Sequence, residues 1–263
     1  MERKAMHYVG IDVGSTATKV AVLDGGGALA RTLLCPTGFS SVDAARRVRA
    51  LLDEAGIDVD TVAVVATGYG RVAVPYANKV VTEITCHGRG AARRVGRDGV
   101  VVDVGGQDTK IIALANGVVK KFVMNDKCSA GTGRFLEIMA DRLAVDQDEL
   151  ARLARAGTPT AISSMCTVFA ESEVITLVGE GKPMDEIAAG IQMAVAKRCF
   201  VMAKKAGATD SITLTGGCAK NAGLKQAIEH VLKFKVVELK TDPQLMGALG
   251  AAEYARQKGL AKK

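Results

Sequence analysis

The sequence has no tryptophan, and aromatic residues make up only 4% of the chain. Proteins that bind single-stranded nucleic acid stack bases on aromatic side chains, so this scarcity argues against a nucleic-acid partner. No apolar run approaches the ~20 residues of a membrane-spanning helix. Residues 1–4 are charged, but no apolar segment with a cleavage site follows them. We therefore expect a cytoplasmic protein with no membrane partner.

No two of the six cysteines are spaced as Cys-x-x-Cys, which excludes a local zinc or redox box. In a cytoplasmic protein the thiols are expected to be reduced. Cys35, Cys86, Cys199 and Cys218 are interpreted as small, buried apolar residues. The net charge of +7 is scattered along the chain, which is typical of solvated helix faces. A docking surface for an acidic protein or an anionic cofactor is the alternative interpretation of this charge.

The strongest pattern is an internal repeat. Residues 10–21 (GIDVGSTATKVA) and 101–112 (VVDVGGQDTKII) align without a gap and share Asp-Val-Gly and Thr-Lys at the same spacing. Each copy has the pattern of a strand, a tight turn and a second strand. Two such units in one chain predict two similar α/β lobes that face each other.

The repeated loop has the composition of a phosphate site. Glycine and small hydroxyl residues let backbone N–H groups approach an anion closely. Asp12 and Asp103 end their strands, where carboxylates can hold Mg²⁺ through water. The predicted phosphate-binding residues are Gly14, Ser15, Thr16, Ala17, Thr18, Lys19, Gly105, Gly106 and Gln107.

A third glycine loop, Gly216-Gly217, follows an apolar strand and precedes a helix. Such turns favour anions or polar rings, and an ordinary strand-to-helix turn is the alternative. Cys128 and Cys166 each lie between an extended segment and a predicted helix, so we expect each of them at a helix N-terminus. A helix N-terminus lowers the pKa of a thiol and favours the thiolate, which is the form that binds metals.

Five segments together resemble the ATP-dependent activators of 2-hydroxyacyl-CoA dehydratases, a group that includes the ATPase subunits of benzoyl-CoA reductase. The resemblance runs over essentially the whole chain. It implies an α/β fold with duplicated ribonuclease H-like (actin-like ATPase) lobes and a nucleotide cleft between them. The segments are residues 10–19, 103–110, 125–135 (NDKCSAGTGRF), 166–174 (CTVFAESEV) and 215–217.

The resemblance implies a homodimer that shares one [4Fe–4S] cluster. Such a cluster commonly takes four thiolates, and a two-fold dimer would supply Cys128 and Cys166 twice. The implied function is ATP hydrolysis that drives low-potential electron transfer to an iron–sulfur dehydratase or reductase under anaerobic conditions. Ferredoxin or flavodoxin is the implied electron donor.

The resemblance also assigns the nucleotide site. Asp12 and Asp103 would position Mg²⁺ of the bound ATP or ADP, while Gln107 or Asp108 would orient the attacking water. Gly216, Gly217, Lys220 and Gln244 are the further nucleotide-contacting positions that it implies. The expected domains are residues 1–98 and 99–242, with a helix in 243–263 that packs back on the first domain.

Three alternatives remain open from the sequence. One is an ATPase for another iron–sulfur reductase, such as a double-cubane cluster protein or an aryl-CoA reductase. A second is a kinase of the N-acetylhexosamine type on the same fold, which would have no use for two paired cysteine junctions. A chaperone-like ATPase is the third, and it would need a peptide-binding domain for which this chain is too short.

Overall fold

The computed structural model describes residues 6–96, 98–164, 166–207 and 212–260. They divide into two compact units. Unit 1 takes in residues 1–97, 114–119 and 240–263, and unit 2 takes in residues 98–113 and 120–239. Residues 261–263 of the predicted C-terminal helix lie outside the described residues. None of the described helices is both long enough and apolar enough to cross a membrane.

The elements follow in chain order. The strands are β1 (His7–Val13), β2 (Ala17–Asp24), β3 (Leu29–Pro36), β4 (Ala63–Thr67), β5 (Lys79–Val80), β6 (Gly99–Val104), β7 (Thr109–Ala115), β8 (Val118–Asn125), β9 (Ile212–Thr215) and β10 (Val236–Val237). The helices are α1 (Ser41–Glu54), α2 (Glu83–Val95), α3 (Gly133–Arg142), α4 (Gln147–Ala156), α5 (Thr167–Gly179), α6 (Met184–Ala206), α7 (Ala222–Leu232) and α8 (Met246–Gln257).

The two sheets have the same strand order. The first sheet is ordered β3-β2-β1-β4-β5, and the second, listed from its other edge, is β8-β7-β6-β9-β10. In the first sheet β1 pairs antiparallel with β2 and parallel with β4, and in the second β6 pairs parallel with β9. The duplication predicted from the repeated sequence is therefore confirmed at the level of sheet topology.

The core of unit 1 lies around its central strands. Every residue of β4 and six of the seven residues of β1 are buried, as expected for parallel strands covered on both faces. Helix α1 contributes a buried stripe of Ala44, Ala45, Val48 and Leu52 at helical spacing. The Ser40 side chain begins this helix by accepting a hydrogen bond from the Asp43 amide at 3.2 Å.

Helix α8 packs against β1 and α2 at unusually close range. A methyl group on Gly90 of α2 would overlap the carbonyl of Met246, and one on Gly250 of α8 would overlap the carbonyl of Cys86. Only glycine permits backbones to approach this closely. The small residues of the final helix therefore serve a close contact between helices in unit 1.

The core of unit 2 is built mainly on α6, whose buried residues include Ile187, Ile191 and Val195. Asp146 caps α4 by accepting a hydrogen bond from the Glu149 amide at 2.8 Å, and an Asp followed three residues later by Glu is a pattern that favours such a helix start. Gly207 ends α6 in the left-handed conformation, which glycine adopts without a steric penalty.

Two predicted elements differ from the structure. The sequence of residues 234–239 predicts a strand, but the observed strand spans only two residues, because the Glu229 carboxylate accepts the Val236 amide at 2.9 Å in place of a neighbouring strand. The helix expected over 243–257 begins as a 3-10 turn at Pro243–Leu245, where the Asp242 side chain accepts from the Gln244 amide.

Candidate functional site

The first predicted phosphate loop is the tight turn between β1 and β2. The Gly14 amide donates to the Ala17 carbonyl at 3.1 Å. Ser15 and Thr16 are exposed at the tip of the turn, where their hydroxyls and amides can reach an anion. The loop is thus open at Ser15 and Thr16.

Thr18 has a structural position instead. Its hydroxyl is buried and lies 2.9 Å from that of Thr37, which in turn donates to the Gly14 carbonyl at 2.7 Å. The Thr37 amide also donates to the Thr16 carbonyl at 2.9 Å. Thr37, the residue after β3, therefore braces the predicted phosphate loop, and no sequence pattern indicated it.

The second loop, between β6 and β7, has the same geometry. The Gly105 amide donates to the Asp108 carbonyl at 2.9 Å, as the Gly14 amide does to Ala17 in the first loop. Gly106 is half-buried and Gln107 is exposed at the tip. The repeat in sequence is therefore also a repeat in hydrogen bonding.

Each copy places an Asp–Lys ion pair behind its loop, with a half-buried Lys19 in the first copy and a fully buried Lys110 in the second. Lys19 Nζ lies 3.0 Å from Asp12 Oδ2, and Lys110 Nζ lies 3.3 Å from Asp103 Oδ2. Lys110 is fully buried and also contacts Asp108 Oδ2 at 2.7 Å. The carboxylate of Asp108 is therefore already engaged by a cation, whereas Gln107 remains exposed.

The two aspartates differ in their remaining oxygens. Asp103 Oδ1 accepts from the Thr215 hydroxyl at 2.8 Å. Asp12 Oδ1 is buried and has no hydrogen-bond partner among the described residues. A buried carboxylate oxygen without a donor is costly, and the donors of a hydrated Mg²⁺ would satisfy it. The chemistry of Asp12 thus fits the predicted cation.

The glycine turn after β9 lies against Asp103. Gly216 has a φ of +85°, and an added Cβ would come 2.9 Å from Asp103 Oδ1. Gly217–Lys220 forms a 3-10 turn, with Gly217 and Lys220 exposed. Gln244, in unit 1, is half-buried at the start of the turn that leads into α8. The predicted nucleotide residues therefore fall into one group in each unit.

The structure brings the two predicted cysteine junctions together in unit 2. Ser129 and Thr167, the residues that follow Cys128 and Cys166, have their hydroxyls 2.8 Å apart. Cys166 is exposed and Cys128 is half-buried. Two residues far apart in sequence thus share one small region.

Cys166 caps α5, as the sequence predicts, but the equivalent prediction for Cys128 was wrong. Helix α3 begins at Gly133 with Thr132 as its cap, so Cys128 lies in a loop ahead of it. The Asn125 side chain holds this loop by donating to the carbonyls of Cys128 at 2.8 Å and Ala130 at 3.1 Å. These hydrogen bonds satisfy two backbone carbonyls in a segment that belongs to no helix.

Hydrogen bonds connect the second phosphate loop to the Cys128 loop. The amides of Gly133 and Arg134, at the start of α3, donate to the carbonyls of Gly105 and Gly106, both at 2.8 Å. Thr132 then bonds the Ser129 carbonyl through its amide at 3.0 Å and its hydroxyl at 2.7 Å. The loop tip and the residue beside Cys128 therefore belong to one continuous network within unit 2.

Residues 9–255 match the family model described as the BadF/BadG/BcrA/BcrD ATPase family. The chain belongs to this ATPase family. It is 42% identical over 253 residues to the activator of lactoyl-CoA dehydratase from Anaerotignum propionicum, a match that covers 95% of this chain and 97% of that protein.

Two solved structures share the fold of this ATPase. The crystal structure of (R)-2-hydroxyglutaryl-CoA dehydratase component A from Acidaminococcus fermentans has a TM-score of 0.88 and 41% identity, and covers 96% of this chain and 98% of that one. The activator of 2-hydroxyisocaproyl-CoA dehydratase from Clostridium difficile with bound ADPNP has a TM-score of 0.87 and 38% identity, covering 96% and 95%. The predicted ATPase class and actin-like α/β fold are confirmed.

The remaining cysteines of this ATPase are poorly suited to bind metal. Burial raises the pKa of the thiols of Cys86, Cys199 and Cys218 to about 12, so these thiols stay protonated. Cys35 is half-buried on β3. The described part of the chain contains no group of three or more His, Cys, Asp or Glu residues arranged to hold a metal.

Proposed function

We propose that this ATPase is a homodimeric activator that couples ATP hydrolysis to low-potential electron transfer into a 2-hydroxyacyl-CoA dehydratase. The observation that carries the proposal is the pairing of Ser129 with Thr167, which brings the Cys128 and Cys166 junctions together beside a phosphate loop. The similarity to dehydratase activators supports the partner class.

Two thiols per chain suit a shared [4Fe–4S] site. Four thiolates commonly hold such a cluster, and a second copy of the chain related by a two-fold axis would supply the other two. When bound, the cluster would supply one-electron chemistry at low potential. Cys128 and Cys166 are the residues that would hold it in each copy.

Apolar side chains around the cysteines support association of two copies. Val168 and Phe169, immediately after Cys166, are 66% and 67% exposed, and Met124, four residues before Cys128, is 42% exposed. Large apolar side chains in one exposed region commonly mark an interface with a protein partner. We infer that the second copy covers this face of α5 and β8.

The two loops would hold the nucleotide. Backbone amides and the exposed hydroxyls of Ser15 and Thr16 would bind phosphate oxygens, and Gly105 to Gln107 would do so from the second copy of the repeat. Asp12 and Asp103 would hold Mg²⁺ through water, while Gly216, Gly217, Lys220 and Gln244 would contact the nucleoside. Gln107 is better placed than Asp108 to orient the attacking water, because Lys110 already engages Asp108.

The hydrogen bonds at the start of α3 supply a physical basis for coupling. A shift of Gly105 and Gly106 between the ATP and ADP states would move the amides of α3 and, through Thr132, the loop that carries Cys128. Such coupling requires that ATP and ADP favour different positions of the loop. We further propose that the chain divides into domains at residues 98 and 242. The protein would be cytoplasmic and would work under anaerobic conditions.

The reaction balances with external partners. Reduced ferredoxin or flavodoxin would give one electron to the activator, the dehydratase would accept one electron, and ATP and water would yield ADP and phosphate. Each transfer would need a separate encounter with the donor or the acceptor.

The proposal is tested by anaerobic turnover with a purified 2-hydroxyacyl-CoA dehydratase and a reduced donor. Wild-type protein should activate the dehydratase only with ATP, and not with a non-hydrolysable analogue. Cys166→Ser should abolish activation while nucleotide affinity stays near the wild-type value. Cys35→Ser is the matched control, because this thiol lies on the other unit and should not matter.

Two results would overturn the proposal. One is activation that persists in Cys166→Ser, since it would show that activation does not require the Cys166 thiol. The other is ATP-dependent phosphorylation of an N-acetylhexosamine together with failure to activate any dehydratase, which would favour the kinase alternative.

A further inference from the structure

Glu173 reaches back from the second turn of α5 to the chain that precedes Cys166. Its carboxylate accepts the Ser163 amide at 2.9 and 3.1 Å and the Ser164 amide at 3.1 Å. The Ser163 hydroxyl also donates to it, at 3.1 and 3.4 Å. One carboxylate therefore accepts hydrogen bonds from two consecutive backbone amides and from a hydroxyl.

The bonded segment has no other regular structure. Residues 161–164 belong to no helix or strand, so the Glu173 carboxylate provides the backbone partners that a sheet or helix would otherwise provide. Burial alone would raise the pKa of Glu173, but the hydrogen bonds from Ser163 and Ser164 outweigh it and lower the pKa below its usual range. The side chain is thus held in its charged, acceptor-only form.

The position of Glu173 gives these bonds a consequence for Cys166. Cys166 caps α5, and Glu173 lies on the same helix, so the bonds close a loop that begins and ends on one rigid element. Ser164 precedes Cys166 by only two residues in the sequence. Holding Ser163 and Ser164 therefore restricts where the chain can lie just before Cys166.

We propose that Glu173 is a positioning residue that holds the segment leading into Cys166 and so sets the placement of this thiol for metal binding. The inference rests on the proposed cluster role of Cys166. Asn125 performs the corresponding task on the other junction, where it holds the carbonyls of Cys128 and Ala130. Ligands held by such supporting bonds bind metals more tightly than unsupported ones.

The first test uses metal-free protein. Glu173→Gln keeps the size of the side chain but puts an amide donor where two backbone donors point. Glu180→Gln, at the exposed end of the same helix, is the charge-matched control. We expect amide hydrogen exchange of residues 163–164 to become about tenfold faster in Glu173→Gln, as loss of hydrogen bonds to a charged group implies. Exchange in α6 should be unchanged.

The second test uses protein reconstituted anaerobically with iron and sulfide. Glu173→Gln should lose iron to a chelator about tenfold faster than Glu180→Gln, in line with other changes in residues that support metal ligands. Its reduction potential should also become more positive, because a neutral amide replaces a carboxylate on the helix that begins after Cys166. Melting temperature and ADP affinity should match those of the control, which a general loss of structure would not allow.

The outcomes separate this inference from the proposed function. Equal exchange at residues 163–164 in the two variants would overturn the holding role of Glu173, whatever the metal content. Faster exchange with unchanged chelator release and potential would overturn its role in placing the thiol. Wild-type protein that takes up no iron would instead refute the proposed function, and with it the metal-binding part of this inference.

Discussion

The close contact between α2 and α8 allows a quantitative prediction for Gly250→Ala. A Cβ at Gly250 would lie 2.6 Å from the carbonyl carbon of Cys86 and 2.8 Å from the amide nitrogen of Gly90, and closer still to the Cys86 carbonyl oxygen. Carbon atoms in good contact are ~3.5–4.0 Å apart, and the closer carbonyl oxygen adds to this demand, so the two helices would have to separate by more than about 1 Å. Both obstructing groups are backbone, which cannot turn aside as a flexible side chain can.

The expected cost follows from two opposing effects. Adding a methyl group to a filled contact typically costs about 1–3 kcal/mol, and a backbone obstruction places Gly250→Ala at the upper end. Alanine is favoured over glycine in a helix by about 1 kcal/mol, which offsets part of this cost. We therefore expect a net loss of about 2 kcal/mol in the free energy of unfolding of unit 1.

Gly179→Ala is the matched control. Gly179 ends α5, and no atom lies within 4 Å of an added Cβ. The substitution should therefore leave stability unchanged or raise it by up to about 1 kcal/mol, since helix propensity is its main effect. Both variants should be compared in metal-free protein, so that iron binding does not contribute.

Urea unfolding followed by far-ultraviolet circular dichroism measures the difference. Because a chain with two units need not unfold in a single step, amide hydrogen exchange of residues 83–95 and 246–257 should accompany it. The loss of protection in Gly250→Ala should be concentrated in these helices. A variant as stable as Gly179→Ala, or one in which protection falls equally in unit 2, would refute the reasoning.

Two further substitutions and one labelling experiment test other parts of the structure. Lys110→Met should lower the free energy of unfolding by about 3–5 kcal/mol in a urea titration, because it leaves the buried Asp103 carboxylate without its cation. Gly247→Ala should weaken Mg·ATP binding roughly tenfold by calorimetry, because its Cβ would come 2.5 Å from Asp12 Oδ2. Cys86 should resist iodoacetamide at pH 8 in a mass-spectrometric assay, because burial raises the pKa of its thiol to about 12 and leaves only about 10⁻⁴ of it ionised. Stable Lys110→Met protein, unchanged Mg·ATP affinity and rapid Cys86 labelling would respectively contradict these expectations.

The repeated loops were predictable because their signal is local. Asp12 and Asp103, each followed by glycine at the same spacing, come from contiguous stretches that can be aligned by eye. The structure adds that the matching lysines form ion pairs with these aspartates. Whether a lysine faces the aspartate depends on how the neighbouring strands align in the sheet, which the residue pattern alone does not determine.

The supporting residues were not predictable because their partners are distant in sequence. Thr37 directly follows β3 but braces the turn at Gly14, and Glu173 binds a segment ten residues earlier. A threonine in a strand and a glutamate in a helix are ordinary, so neither has a distinctive pattern. The wrong placement of Cys128 has a related cause, since Asn125 stabilises a loop where glycine-rich sequence suggested the start of a helix.

Native mass spectrometry of anaerobically reconstituted protein shows whether two copies of the chain share one cluster, because it counts chains and cluster atoms in one intact particle. We expect a particle of two chains that carries a single [4Fe–4S] cluster, and cluster-free protein for Cys128→Ser and Cys166→Ser. A wild-type particle without iron, or a single chain that binds a complete cluster alone, would contradict it.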